Sequence, residues 1–414
     1  MTTNLNESLQ VDKVDYAELS TILLHHFGNA NGGTEGKVDF HHRHGPGKVT
    51  LSYRGSKLVS AEGCDLSVQE VSALNEKVTR DLVESPGETA GRCILLSARR
   101  VTGCFAWGQK LRILPVPANA PQAPDLTEAE KFSQHLEIEH PFIIEFPLRR
   151  SKNPVVEFHR LEKSIRNWAL VLNAFLECRV SAISRGQARH WIHYNGADLS
   201  TGYDYCREGY RFPGFADIGP DFSPTAHIPP LETMEFYDYF GNPRQELNPR
   251  MRVPSRFTDF LSRFESLPLE DQDQFLRAAF WFHHASKVWR ETKSGAYLAI
   301  ISAIETLKPV VTPVSKCDKC GAPRGKGAAR QFIEFLDSLA PPLDDESPVR
   351  KELYRMRSKL VHGSSLFHAD VDMARQINPQ SFSEWLAYST CMSLGRRALL
   401  GWLLSKTGNA EPDI

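Results

Sequence analysis

Short runs of β-branched and aromatic residues alternate with turn residues over the first 125 positions, where one helix is also expected near the start. Lys37–Phe40 (KVDF) and Lys48–Tyr53 (KVTLSY) flank the segment HHRHGPG, whose glycines and proline indicate a turn, so this pattern predicts a hairpin. A second hairpin is predicted around Thr102-Gly103, between CILLSARRV and GCFAWGQKLRILPV. The Pro- and Ala-rich stretch PVPANAPQAPD, at 115–125, is predicted to be a linker.

The pattern changes after residue 125. The segment HPFIIEFPLR, at 140–149, predicts a strand, and a long helix is predicted to follow Asn153-Pro154. Apolar residues of that helix recur at the spacing of one buried face: Leu161, Ile165, Trp168, Leu172 and Phe175. Residues 212–254 contain eight prolines and little periodicity, which predicts a long irregular connection.

From about residue 255 onward the apolar spacing is that of α-helices. Apolar stripes predict helices around 275–282, 297–307, 331–339 and 381–404. Ser347-Pro348 supplies an N-cap followed by a proline at the first helical position, so a further helix is predicted to begin there.

A chain of 414 residues is too long for one ordinary hydrophobic core. We therefore predict an α+β chain in three parts. Residues 1–125 form a β-rich domain with a sensor or regulatory role, residues 126–254 form a mixed α/β region, and residues 255–410 form an all-α helical bundle.

Composition and charge indicate the cellular location of the protein and the kinds of partner that it can bind. The net charge is −1, so the global basic field that is typical of nucleic-acid-binding proteins is absent. The eight cysteines are scattered, no apolar run has the length of a membrane helix, and the start MTTNLNESLQ lacks the regions of a signal peptide. We expect a cytoplasmic protein that does not enter a membrane.

Familiar enzyme signatures do not occur in the sequence. There is no P-loop, no GxGxxG after a predicted strand, no GxSxG and no HExxH, so nothing supports a nucleotide hydrolase, dehydrogenase, esterase or zinc protease. Histidines at 41, 42 and 44 are interpreted as residues of a polar turn. The pairs at 25–26 and 283–284 are interpreted as core or boundary residues of helices.

The segment KCDKCGAPRGKGAAR, at 316–330, joins a CxxCG motif to a local basic patch. The candidate RNA-binding residues of this patch are Lys316, Lys319, Arg324, Lys326 and Arg330. Cys317 and Cys320 have the spacing of a zinc knuckle, but zinc needs four ligands, so His368 or another chain would have to complete the site. Two interpretations stay open for each feature: an RNA-binding patch or a solvated loop, and a structural zinc site or a metal-free loop.

The run YRMRSKLVHG, at 354–363, places Arg357 and His362 at the end of a predicted helix that Gly363 closes. The spacing R-x(4–6)-H is a weak signal, since it occurs five times in this chain, close to chance expectation for its composition. Glu305 borders the apolar stripe of an earlier helix, where a partly buried carboxylate needs a partner such as an arginine from another helix.

The order of these features resembles the HEPN superfamily, specifically its Apea-like branch. An Ala/Ile-rich helix ending in AIETL, a loop with CxxCG and the run YRMRSKLVHG carry the resemblance, which covers roughly residues 270 to 405. It implies a small helical bundle, and by motif match it implies that Arg357 and His362 are catalytic. Supporting roles are implied for four further residues: Glu305, Tyr354, Ser358 and Lys359.

The resemblance also implies a metal-independent endoribonuclease that needs no cofactor for catalysis. The 2′-OH of RNA would attack the neighbouring phosphate, a histidine would move the proton, and a guanidinium would stabilise the extra negative charge. The products would be a 2′,3′-cyclic phosphate and a 5′-OH. Positions five residues apart on an α-helix differ by about 140° in direction, so Arg357 and His362 act together only if the helix ends first or a second copy completes the pair.

Members of this superfamily act in antiphage defence, as toxins or in stress responses, and two bundles usually pair around one cleft. The expected partners are therefore RNA, a second copy of the chain, and an antitoxin or a defence protein. The alternative is a non-catalytic HEPN module that binds RNA or protein within a defence or regulatory complex.

Overall fold

The computed structural model describes residues 2–32, 36–54, 57–84, 86–120, 139–182, 190–195, 198–206, 215, 219–235, 250–289, 291–309, 327–342, 346–371 and 379–406. Helices and mainly antiparallel sheets make up its regular structure, so the chain has the predicted α+β class. None of the described helices is long and apolar enough to cross a membrane.

The first sheet is antiparallel. Its strands are β1 (Thr2–Asn4), β2 (Gly28–Gly32), β3 (Lys37–His42), β4 (Lys48–Arg54) and β5 (Lys57–Cys64), in the order β1-β5-β4-β3-β2. The predicted hairpin of β3 and β4 is confirmed, with Lys37 opposite Ser52.

Two helices share an apolar core with this sheet: α1 (Tyr16–Phe27) and α2 (Val68–Val78), the second continuing into a π-helical turn at Thr79–Val83. The helix expected near the start of the chain is α1, whereas α2 was not predicted. Ser67 and Glu70 form a capping box at the start of α2, which is a sequence signal that identifies a helix start.

The second sheet is also antiparallel. Its strands are β6 (Glu88–Ser97), β7 (Phe105–Trp107), β8 (Leu111–Pro115), β9 (His140–Arg149) and β10 (Val180–Ala182), in the order β10-β6-β9-β8-β7. The strand predicted at 140–149 is confirmed.

The hairpin predicted around Thr102-Gly103 is wrong, because β6 pairs with β9 and β10 and the hairpin joins β7 to β8. All residues from 93 to 97 of β6 are buried, so this strand takes an interior position with partners on both sides. Gly103 instead packs on the backbone of Pro229 and Pro230, whose carbonyl oxygens would each lie 2.7 Å from an added Cβ.

The middle of the chain contains α3 (Pro154–Phe175), and the Asn153 side chain caps it by accepting a hydrogen bond from the Val155 N–H at 3.0 Å. The predicted start of this long helix is therefore confirmed. Two small sheets follow: β11 (His190–Asn195) with β12 (Asp198–Cys206), and β13 (Thr233–Met234) with β14 (Val253–Pro254).

Only helices form the regular structure of the described residues after β14. They are α4 (Phe257–Ser266), α5 (Leu269–Val288), α6 (Lys293–Thr306), α7 (Ala328–Leu339), α8 (Glu346–Val361), α9 (His368–Val371) and α10 (Pro379–Lys406). Five of them correspond to the helical segments predicted from the apolar stripes and from Ser347-Pro348, although α6 ends one residue before the predicted limit at 307. The helices α4 and α9 were not predicted separately. Because α8 begins at Glu346, Ser347 lies in its first turn and not at its N-cap.

One apolar core joins the second sheet, α3 and the C-terminal helices. The ring of Phe175, at the end of α3, lies 5.7 Å from the ring of Phe260 in α4 and 5.7 Å from that of Phe275 in α5. A separate core lies between the first sheet and its two helices. The domain limits proposed at residues 125 and 254 stay predictions.

Candidate functional site

The candidate site is built on α8, which contacts α6 and α7. The Tyr297 hydroxyl of α6 donates a hydrogen bond to the Leu353 carbonyl of α8 at 2.9 Å, and burial raises the pKa of Tyr297 well above its usual range. The buried guanidinium of Arg350 reaches Asp337 of α7 at 2.6 Å. These contacts attach the first half of α8 to both neighbouring helices.

Arg357 and Glu305 meet in the structure. The Arg357 Nη2 donates to Glu305 Oε2 at 3.2 Å, and the two side chains keep 28% and 31% of their surfaces exposed. The Arg357 guanidinium also lies 5.6 Å from the ring centre of Tyr354, whose ring lies 5.2 Å from that of Phe332 in α7. Salt bridge and ring together orient the guanidinium while leaving part of it accessible to a ligand.

The end of α8 has the geometry of a Schellman motif. The Gly363 N–H donates to the Leu360 carbonyl and the Ser364 N–H donates to the Lys359 carbonyl, at 3.1 and 3.0 Å. Gly363 has a φ of +66°, a left-handed conformation that costs another residue about 1–2 kcal/mol. His362 is therefore the C-cap of α8, and its side chain is exposed.

α8 ends at Val361, between Arg357 and His362. The His362 N–H still donates to the Ser358 carbonyl at 3.1 Å, so His362 directly follows the last turn of the helix. Helical geometry then directs the two side chains about 140° apart. Of the two alternatives raised by the sequence, an end of the helix before His362 agrees with the structure, and completion of the pair by a second copy of the chain stays a prediction.

The segment after His362 returns to α6. The Asp370 carboxylate accepts hydrogen bonds from the N–H groups of Lys293 and Ser294 at 2.6 and 2.7 Å, and the Ser294 hydroxyl accepts one from the Phe367 N–H at 2.9 Å. Glu384 of α10 accepts from the Ala369 N–H at 3.1 Å. The side chains of Asp370, Ser294 and Glu384 therefore fix the chain at Phe367–Asp370, five to eight residues after His362.

Asp370 gives this region a pH dependence that can be measured. Partial burial opposes its ionisation, but hydrogen bonds from Ser294, Lys293 and Thr292 outweigh burial and lower the pKa of Asp370 below its usual value. The resulting stability is present above the unfolded value near about 3.9 and is lost as pH falls through the lower folded value. We expect Asp370→Asn to cost about 1 kcal/mol of unfolding free energy at neutral pH and nothing in strong acid.

Urea unfolding at a series of pH values measures this difference, with Asp12→Asn as the control because Asp12 is exposed. A constant difference between Asp370→Asn and the wild type down to strong acid would contradict the assignment.

Other residues predicted for the site are spread over several places. Ser358 and Lys359 are half-buried on α8, and their carbonyls take part in the helix end. Arg330 lies in α7, is exposed and pairs with Glu334 of the same helix at 3.0 Å, and its role in RNA binding stays a prediction. The remaining residues of the predicted patch and metal site lie outside the described residues: Lys316, Lys319, Arg324, Lys326, Cys317 and Cys320.

Among the described residues, no group of three or more His, Cys, Asp or Glu side chains is placed to hold a metal ion. The zinc site at Cys317 and Cys320 stays a prediction, because neither cysteine is described. Asp370, Glu384 and Arg350 were missed by sequence reasoning. No local signal marks Asp370 or Glu384, since each acts on backbone groups far away in the chain.

Comparison of the chain with protein-family models, with curated proteins and with solved structures finds no match.

Proposed function

We propose that this protein is a metal-independent endoribonuclease of HEPN type, whose bundle corresponds to about residues 270 to 405. The observation that carries the proposal is the arrangement at the end of α8, where a partly exposed, oriented Arg357 and an exposed His362 lie within two turns. These are the side-chain types that phosphodiester cleavage without a metal needs.

Each residue has a stated role in the proposed reaction. His362 moves the proton between the attacking 2′-OH and the leaving 5′-oxygen, and Arg357 stabilises the charge that develops on the phosphate. Glu305 orients Arg357 through Nη2 at 3.2 Å and leaves most of the five guanidinium N–H donors for the phosphate. The products are a 2′,3′-cyclic phosphate and a 5′-OH.

A second copy of the chain belongs to the proposal, because one helix directs the two side chains apart. Exposed apolar residues lie within nine positions of His362 in the sequence: Val361 and Leu366 keep 51% and 56% of their surfaces exposed, and Val371 keeps 69%. Apolar side chains in this position support a contact between two copies. In such a contact Arg357 of one copy would face His362 of the other.

Antiphage defence, toxin activity or a stress response is the proposed setting. The part of the chain before residue 255 would sense the trigger or regulate cleavage, with an antitoxin or a defence protein as a further partner. The alternative is a HEPN module that binds RNA or protein without cleaving it, and the experiments below separate the two.

Arg355 offers a matched control for Arg357, because both lie on α8 at R-x(4–6)-H spacing from His362. Arg355 pairs with Glu352 of the same helix and its side chain is 60% exposed, whereas Arg357 contacts α6. In the presence of EDTA we expect the wild type and Arg355→Ala to cleave single-stranded RNA, and Arg357→Ala to be at least about a hundredfold slower.

Loss of the half-exposed Arg357–Glu305 pair costs only about 1 kcal/mol or less, so the variant should stay folded. Equal cleavage by Arg355→Ala and Arg357→Ala would overturn the assignment of Arg357. RNA binding without any cleavage by the wild type would favour the non-catalytic module.

A further inference from the structure

Histidines that are far apart in the sequence meet at one corner of the first sheet. His25 and His26 lie in the last turn of α1, and His42 ends β3. The ring centre of His26 lies 5.7 Å from that of His42, and the ring of Phe27 lies 4.7 Å from that of His42. The contact between α1 and β3 at this corner is therefore formed by the imidazole rings of His26 and His42, together with the ring of Phe27.

Charged residues of α2 face the same corner. Lys77 Nζ lies 3.2 Å from His25 Nδ1, and Glu70 Oε1 lies 3.4 Å from His42 Nε2. The other oxygen of Glu70 accepts the Ser67 N–H at 2.8 Å, as part of the capping box. The carboxylate of Glu70 thus contacts His42 and also caps α2, while Lys77 of α2 contacts His25.

His26 is the least compensated member of the cluster. Its Nε2 is buried and forms no hydrogen bond with any residue that the structure describes. Partial burial, followed by the nearby Lys77 and His42, lowers the pKa of His26, and His25 acts in the same direction. Glu70 opposes this effect without reversing it.

We propose that His25, His26, His42, Lys77 and Glu70 form a pH-sensitive latch that holds α1 against α2 and β3 at neutral pH and releases it in mild acid. Protonation of His26 would add a positive charge beside Lys77, which is unfavourable at a partly buried position. Because the pKa of His26 is lower in the folded protein than the value of about 6.5 of an unfolded histidine, the packing is strongest above that value and weakens as pH falls.

Release of α1 would also affect its contact with α3. Glu18 of α1 forms an ion pair with Arg160 of α3 at 2.8 Å, and α3 packs on α5. Release of α1 is therefore expected to disturb the ion pair between α1 and α3.

Hydrogen exchange of the full-length protein, corrected for intrinsic rates, tests the proposal between about pH 7.5 and about pH 5.5. We expect the protection of α1 amides in the wild type to fall about threefold or more over this range. The fall should disappear in His26→Phe, which keeps the ring, and in His26→Gln, which keeps polarity. It should shrink in Lys77→Gln and persist in His227→Gln, since His227 is exposed outside the cluster.

Unchanged protection of α1 at the two pH values in the wild type would overturn the latch. An equal fall in the wild type and in both His26 variants would overturn it as well.

Discussion

Replacing His362 with alanine is expected to reduce RNA cleavage by at least about a hundredfold while leaving the protein folded. The side chain is exposed, and the hydrogen bonds that end α8 use the backbone of residues 358–364, so the substitution removes an imidazole and little else. Expression of the wild type in a bacterial host should arrest growth and produce RNA fragments with cyclic-phosphate ends, and His362→Ala should do neither.

A histidine elsewhere in the chain supplies the control. His227 is exposed and lies before the helical region, so His227→Ala should behave like the wild type in the same assay. Cleavage by purified His362→Ala at the wild-type rate would exclude the proposed mechanism, whereas tight RNA binding by both proteins without cleavage would favour the binding module.

Mixing two inactive variants tests the shared site directly. If Arg357 of one copy acts with His362 of the other, Arg357→Ala and His362→Ala can form a mixed dimer that contains one complete pair. Activity should then return on mixing, to at most a fraction of the wild-type rate. Two variants that form mixed dimers and remain inactive would show that the pair does not act between copies.

Replacing Arg160 with methionine should have the largest effect on stability, about 3–5 kcal/mol of unfolding free energy. This guanidinium donates to both oxygens of Glu18 at 3.0 and 2.8 Å, and to the carbonyls of Arg150 and Leu82 at 2.9 and 3.1 Å. Arg160 and Glu18 keep only 9% and 14% of their side-chain surfaces exposed. Methionine would therefore leave a largely buried carboxylate without a cation and two carbonyls without a donor.

Lys163 is the matched control, because it lies on the same helix and pairs with Asp15 of α1 at 2.6 Å. Its side chain is 59% exposed, so Lys163→Met should cost no more than about 1 kcal/mol. Urea unfolding of both variants measures the difference. If both variants lose the same free energy of unfolding, the buried Arg160–Glu18 pair contributes no more to stability than the exposed Lys163–Asp15 pair.

Helix ends were predictable from the sequence where the signal is local. Asn153 followed by proline marks the start of α3, and Gly363 marks the end of α8, because capping depends on residues within one turn. The capping box at Ser67 and Glu70 is a signal of the same kind, so α2 was also within reach of the sequence.

Strand pairing was not predictable in the same way. β6 and the segment after it resemble two arms of a hairpin, but β6 pairs with β9, whose residues follow about fifty positions later. The pairing partner of β6 depends on which strands can lie along its two edges while its side chains stay buried in the core. That depends on how the whole sheet packs, and not on the local sequence.

By itself the sequence determined that Arg357 and His362 lie at the end of an amphipathic helix, because apolar spacing and a terminal glycine are local properties. Only the tertiary structure decided that Arg357 contacts Glu305 on α6 and that Asp370 ties the segment after His362 to α6. These contacts join residues more than fifty positions apart, and packing of the helices, not local preference, brings them together.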